Sequence, residues 1–218
     1  MEIGHRRLRF AFLELLWIAA AGMLIAEGNI PLPAFGRDTV LVWKIENMEY
    51  NATFVARVAQ FLPDRFMEWE DEITQGTIFM PNEDILTARG FVDSSLFKSG
   101  RDTRGKKATT LWLSQQIYRE LKEKKKVKCM LDGVQGSMKY VGDDQLDVEV
   151  NRSPMTLPAI KVQDDRGSER WFLDQDDNPL MLKHQLRTFT QTLSSITTNK
   201  SNTLRWIKGK KLANPPGN

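Results

Sequence analysis

From Asp38 onward, apolar and polar residues alternate in short runs. In "DTVLVWKIENM", Leu41, Trp43 and Ile45 fall on one parity and Val42, Lys44 and Glu46 on the other. In "NATFVARVAQFL", Phe54, Ala56 and Val58 oppose Val55, Arg57 and Ala59, and in "DRFMEWEDE" Met67 and Trp69 oppose Glu68 and Glu70. A period of two puts successive side chains on opposite faces, which is the mark of a strand. Because charged residues share these runs, the strands are half-buried and suit an antiparallel sheet rather than a parallel one with both faces covered. Pro63-Asp64 supplies a turn between the second and third runs.

The period changes in the middle of the chain. "SGRDTRGKKATT" is a polar, basic loop. In "TTLWLSQQIYRELKEKKK", Leu113, Ile117 and Leu121 stand four apart on one helical face, with Thr109 or Thr110 as the expected N-cap and lysines at the C-terminal end, where they suit the helix dipole. A shorter helix is expected in "NEDILTARGF". Strand runs return from Val127: "KVKCMLDGV", "SMKYVG", "QLDVEVN", "LPAIKV", "ERWFL", "LMLKHQL" and "TFTQTLSSIT". Turn signals separate them at Asp132-Gly133, Gly142-Asp143 and Asp165-Arg166-Gly167. The pattern predicts an α+β fold: a long curved antiparallel sheet, of meander or half-barrel form, with one main amphipathic helix near 109–125 on its face and a hydrophobic helix at the N-terminus.

That N-terminal helix carries the address. Arg6, Arg7 and Arg9 precede a run, 15–26, without charge, which is close to a secretory signal and short for a membrane span. Export is the expectation, with 1–26 acting either as a cleaved signal peptide or, because Glu14 interrupts the run and "GMLIAEG" is no clean cleavage site, as an uncleaved anchor. The Pro-rich stretch 27–38 reads as a linker. A β-rich domain over 39–200 and a basic tail over 201–218 complete the organisation. At 218 residues, 41% hydrophobic and 27% charged, the chain is long enough for one sizeable core. The single cysteine, Cys129, excludes an internal disulfide and a cysteine-based zinc site. A net charge of +3, with no basic helix interleaved with aromatics, argues against nucleic acid as a partner.

Candidate chemistry concentrates in "ERWFLDQDDNPLMLKHQL", residues 169–186. Trp171 and Leu173 share one strand face, the turn follows, and Leu180, Leu182, His184 and Leu186 share a face of the return strand. Asp174, Asp176 and Asn178 resemble the opening of a calcium loop, but Pro179 occupies the sixth position, where glycine is required, and Gln185 the twelfth, where glutamate is. The segment therefore reads as a hairpin with an Asx-rich turn. His184 reads as a core histidine: if the signal is cut near Ala26, His5 leaves with it, and no second histidine or reactive cysteine remains to complete a triad or zinc site. Asp93 in "FVDSS" and Asp132 in "MLDGV" each lack part of an aspartic-protease signature, and the acidic runs 68–72 and 143–149 read as solvated strand faces rather than a glycosidase pair. No enzyme, metal or cofactor is expected.

What stands above background is aromatic area. The chain has 6 Trp and 9 Met, and Trp43, Trp69, Trp112 and Trp171 all sit on apolar faces. If sheet and helix leave part of that surface uncovered, a concave ligand site results, with Trp43, Trp69, Trp171 and Leu182 as its expected wall. Lys208, Lys210 and Lys211 in the tail would suit an anionic lipid surface. The signal-like start, the period-two strands, the amphipathic helix and the late "LPAIKV...RWFLDQDDNPLMLKHQL" segment together resemble the LolA-like lipoprotein-carrier superfamily of half-barrel proteins from bacterial envelopes, over roughly 38–198. The resemblance implies a curved sheet whose concave face, closed by helices, binds acyl chains without chemistry; this chain shows one clear helix for that closure. The expected function is thus an exported, periplasmic or secreted, non-catalytic envelope protein that binds a lipid or lipoprotein acyl chain. The alternative is a structural or protein-interaction protein with a filled core.

Overall fold

A computed structural model describes residues 32–93, 96–100 and 102–198 of the chain. The expected N-terminal helix and the basic tail lie outside these residues. The described part belongs to a compact unit that begins at Leu32. Leu32 and Phe35, in the expected linker, pack on its core, and Phe35 stacks on Phe61 with ring centroids 5.6 Å apart.

In chain order the elements are β1 (Val40–Asn47), β2 (Asn51–Gln60), β3 (Arg65–Glu70), β4 (Gln75–Met80), α1 (Asn82–Thr87), β5 (Gly90–Phe91), β6 (Asp102–Arg104), β7 (Ala108–Thr109), α2 (Gln115–Lys124), β8 (Lys126–Leu131), β9 (Val134–Val150), β10 (Ser153–Asp164), β11 (Glu169–Leu173), β12 (Met181–Gln185) and β13 (Phe189–Thr197). The strands form a single 13-stranded sheet in the order β6-β4-β3-β2-β1-β13-β12-β11-β10-β9-β8-β5-β7.

This architecture corrects the α+β expectation. The fold is dominated by its sheet, and the two helices are short, of 6 and 10 residues. The antiparallel hairpins are present, but the sheet is mixed: β4–β6, β5–β7, β5–β8 and β13–β9 pair in parallel. The physical reason lies in the basic loop. Only three residues, 105–107, separate β6 at one edge of the sheet from β7 at the other, and three residues span at most about 10 Å. The sheet therefore curls until its edges stand side by side. Gly105 N–H donates to Phe79 O on one side of the junction, and Gly90 N–H donates to Lys107 O on the other. A second closure joins β13 to β9 through Ser195↔Glu149 and Ile196↔Val150, so that β9 to β13 form a ring. Bulges at Val42/Trp43, Val58/Gln60, Lys161/Val162 and Trp171/Phe172 supply the local bends that such curvature needs.

Helix α2 rests on β8 and β9 through Ile117, Tyr118 and Leu121. Its N-cap is Ser114, rather than Thr109 or Thr110: the Ser114 hydroxyl accepts from Ile117 N at 3.2 Å and donates to Ala88 O at 2.7 Å. Both threonines are instead buried just before it, in a segment where Leu111 takes a left-handed φ of 58° and lies beside the β11–β12 turn. There Leu113 N–H donates to Pro179 O and Met181 N–H donates to Leu111 O.

Candidate functional site

Register puts the turns 48–50, 71–74, 132–133, 165–168 and 186–188 at one end of the curled sheet. Asn47 faces Phe189, Val55 faces Glu70, Met138 faces Asp164 and Glu169 faces Gln185. Beneath these turns lies a cavity of about 590 Å³ with one apolar and one charged wall. Two other hollows, of about 790 and 850 Å³, are shallower; one runs along the β3–β4 turn and the other beside Lys98 and the Arg104–Lys107 stretch.

The apolar wall follows from strand parity. Phe54 stands directly across from Trp43, and Ala56 directly across from Trp69, so Phe54 and Trp69 are diagonal neighbours on the inner face. Their rings stack at 6.1 Å, and Phe97 closes the group edge-on, 5.1 Å from Phe54 and 5.4 Å from Trp69. Ile45, Leu186 and Phe189 extend the wall. Trp69 is buried, and its indole N–H has no hydrogen-bond partner among the described residues.

The opposite wall is built around Arg170, which lies across from His184 in the β11–β12 pair. The Arg170 guanidinium donates to both carboxylate oxygens of Asp93, at 3.2 and 2.5 Å, and to Asp164 Oδ2 at 2.9 Å. Burial works against its charge, but the two carboxylates outweigh that cost and hold it protonated above its ordinary range. Asp164 Oδ1 accepts from the backbone N–H groups of Arg166 and Ser168, both at 2.9 Å, which shapes the 165–168 turn. His184 is 4% exposed, and its Nε2 is 2.7 Å from Ser168 Oγ. Burial, aided by the facing Arg170, lowers its pKa to about 4 against the smaller opposing pull of Asp93 and Asp164. It is a neutral ring at pH 7.

Ser168, His184 and Asp93 stand in the spatial order of a nucleophile, a base and an orienting acid, yet the geometry is that of a structural cluster. Asp93 Oδ1 is 3.7 Å from His184 Nδ1, beyond hydrogen-bond range, and both its oxygens are taken by Arg170. The N–H groups of 166–168, which could have faced a developing oxyanion, all point at Asp164. Cys129 is buried, and its thiol is pushed up to about 11 by that burial, which removes it as a nucleophile. Among the described residues no group of three or more His, Cys, Asp or Glu could hold a metal ion.

The acidic turn of the β11–β12 hairpin is occupied by α2 and by Trp112, which precedes it. Asp174 accepts from the Tyr118 hydroxyl and from Lys122 Nζ at 3.0 Å; Asp176 receives the Arg119 guanidinium at 2.6 and 2.8 Å; and Asn178 accepts from Trp112 Nε1 at 2.8 Å. These side chains dock the helix to the sheet.

Of the residues expected to form a binding wall, Trp69 lines the cavity. Trp43 and Leu182 are fully buried in the core, and the Trp43 indole donates to Met181 O at 3.1 Å. Trp171 is next to Arg170 and faces the other way, between Lys161 and Lys183, with its indole N–H donated to Asp144 at 2.6 Å. Lys208, Lys210 and Lys211 lie outside the described residues. Asp164, Ser168 and Arg170 were not singled out from the sequence, and Asp93 was met there only as an incomplete protease signature. Arg170 was detectable: it shares parity with Phe172 in "ERWFL", so a buried face there carries a cation that must find anions. No protein-family model, curated protein or solved structure matches this chain.

Proposed function

We propose that this chain is an exported, non-catalytic envelope protein that holds the apolar part of a lipid or lipoprotein acyl chain in the cavity beneath the turns. The observation that carries the reading is the paired character of that cavity, in which the Phe54, Trp69 and Phe97 rings face a wall of fixed charges. Cavities of several hundred Å³ with an apolar lining and a few placed polar groups suit small amphipathic ligands. The charges narrow the class. Asp71, Asp93, Asp132 and Asp164 outnumber Arg166 and Arg170 around the cavity, and His184 is neutral, so a free carboxylate is disfavoured. The unpaired Trp69 N–H favours a carbonyl acceptor. An ester- or amide-linked acyl chain satisfies both conditions. Export rests on the basic start and the uncharged run 15–26. Among the described residues no helix is long and apolar enough to cross a membrane.

Titration with a pyrene-labelled fatty-acid methyl ester, alongside the corresponding free acid, tests the reading. The ester should bind several-fold more tightly than the acid, and Trp69→Phe, which keeps the ring and removes the N–H, should weaken the ester selectively. If neither probe binds the folded protein, the alternative stands: a structural or protein-interaction component with a filled core.

A further inference from the structure

The end of the sheet at which the cavity lies is also where exposed apolar side chains gather. Met48 and Tyr50 in the β1–β2 turn are 84% and 57% exposed, Ile73 in the β3–β4 turn 93%, and Leu186 at the start of the β12–β13 turn 44%. None of these positions is required to be apolar by its turn. The 48–50 turn is held by Asn47 Oδ1, which accepts from the N–H groups of Glu49 and Tyr50, and the 71–74 turn by Asp71, which accepts from Ile73 and Thr74. In both cases the side chain at the tip is free to point into solvent.

From this we propose that the turn end is a membrane-contacting rim, on which Met48, Tyr50, Ile73 and Leu186 insert into the surface of a bilayer of neutral headgroups and bring the mouth of the cavity to the lipid. The proposal rests on the binding role given above and names the surface from which the acyl chain is taken or to which it is delivered. Two features select a bilayer. The apolar tips stand on the β1–β2, β3–β4 and β12–β13 turns, and Asp71, Thr74 and Leu186 of the last two also line the cavity, so a bilayer that receives the tips meets the opening that the acyl chain would enter. The turns themselves carry Glu49, Asp71 and Glu72 against Arg187, so that anionic headgroups are repelled and neutral ones accepted.

Flotation of the purified protein with phosphatidylcholine vesicles tests this. Wild type should float, and the double variant Met48→Asp with Ile73→Asp should lose binding by about tenfold or more, since two inserting side chains become charged. Replacing part of the phosphatidylcholine with phosphatidylglycerol should not strengthen binding. Both substitutions are at exposed turn positions outside the cavity lining, so thermal unfolding and uptake of the pyrene ester in solution should be unchanged. Unchanged flotation of the variant, binding that appears only with phosphatidylglycerol, or a wild type that takes up the ester yet never floats would each overturn the rim. Loss of ester binding by the wild type would instead sink the cavity reading.

Discussion

The buried His184 should make the protein acid-sensitive in a way that one substitution isolates. Its folded pKa of about 4 stands below the ordinary 6.5 because the ring is buried and faces Arg170. Above pH 6.5 the ring is neutral in both folded and unfolded chains and has no effect on the pH dependence. Between 6.5 and 4 the unfolded chain takes up a proton that the folded chain refuses, so stability falls as the pH is lowered and levels off below the folded pKa. At about 1.4 kcal/mol per pH unit, the gap corresponds to a loss of about 3 kcal/mol. In His184→Gln this component is absent. Urea unfolding of both proteins, followed by tryptophan fluorescence from about pH 7.5 to about pH 4, gives the difference directly. The wild-type advantage at neutral pH should shrink steadily on acidification, by about 3 kcal/mol in all. Parallel curves would refute the reasoning. A wild type that gains on the variant as pH falls would show the opposite arrangement, an imidazolium paired with Asp93. The 3.7 Å separation and the prior claim of Arg170 on that carboxylate argue against such a pair.

Three further outcomes follow from the contacts at the sheet junction and at the helix–turn junction. A Cβ on Gly105 would come within 2.7 Å of Ala108 O and 3.2 Å of Asp84 Oδ2, so Gly105→Ala should push the sheet edges apart and cost about 1–3 kcal/mol in urea unfolding; an unaffected midpoint would show that the junction is slack. Tyr118→Phe removes a hydrogen bond to a carboxylate at the helix–turn junction and should cost about 1.5–3 kcal/mol. In the wild type, burial and Asp174 raise the Tyr118 phenol pKa, so its ultraviolet ionisation step should come later than that of a free tyrosine.

Local pattern was enough for the elements whose geometry is set by near neighbours. The alternation in "DTVLVWKIENM" is β1, with Leu41 and Trp43 fully buried, although Val40 and Val42 on the opposite parity are buried as well in a separate cluster with Val55, and the parity of 169–186 is a hairpin. Ile117 and Leu121 mark the buried side of α2, although the first turn begins later than the spacing implied because Ser114 has both a cap to make and a carbonyl, Ala88 O, to satisfy. The basic loop shows where such reading ends. "SGRDTRGKKATT" has no period because β6 and β7 are three and two residues long, and they are strands only because β4 and β5 are there to pair with them. A mixed and closed sheet therefore looked like an antiparallel one with a loop. The cavity wall is non-local in the same sense. Arg170 meets Asp93 across 77 residues of chain, and His184 meets Ser168 only because β11 and β12 are in register. Hydrophobic periodicity reports which face of an element is covered; it carries no information on which charges the curled sheet brings together. Those pairings follow from long-range closure, whose energy is shared by every strand in the ring and written in none of them alone.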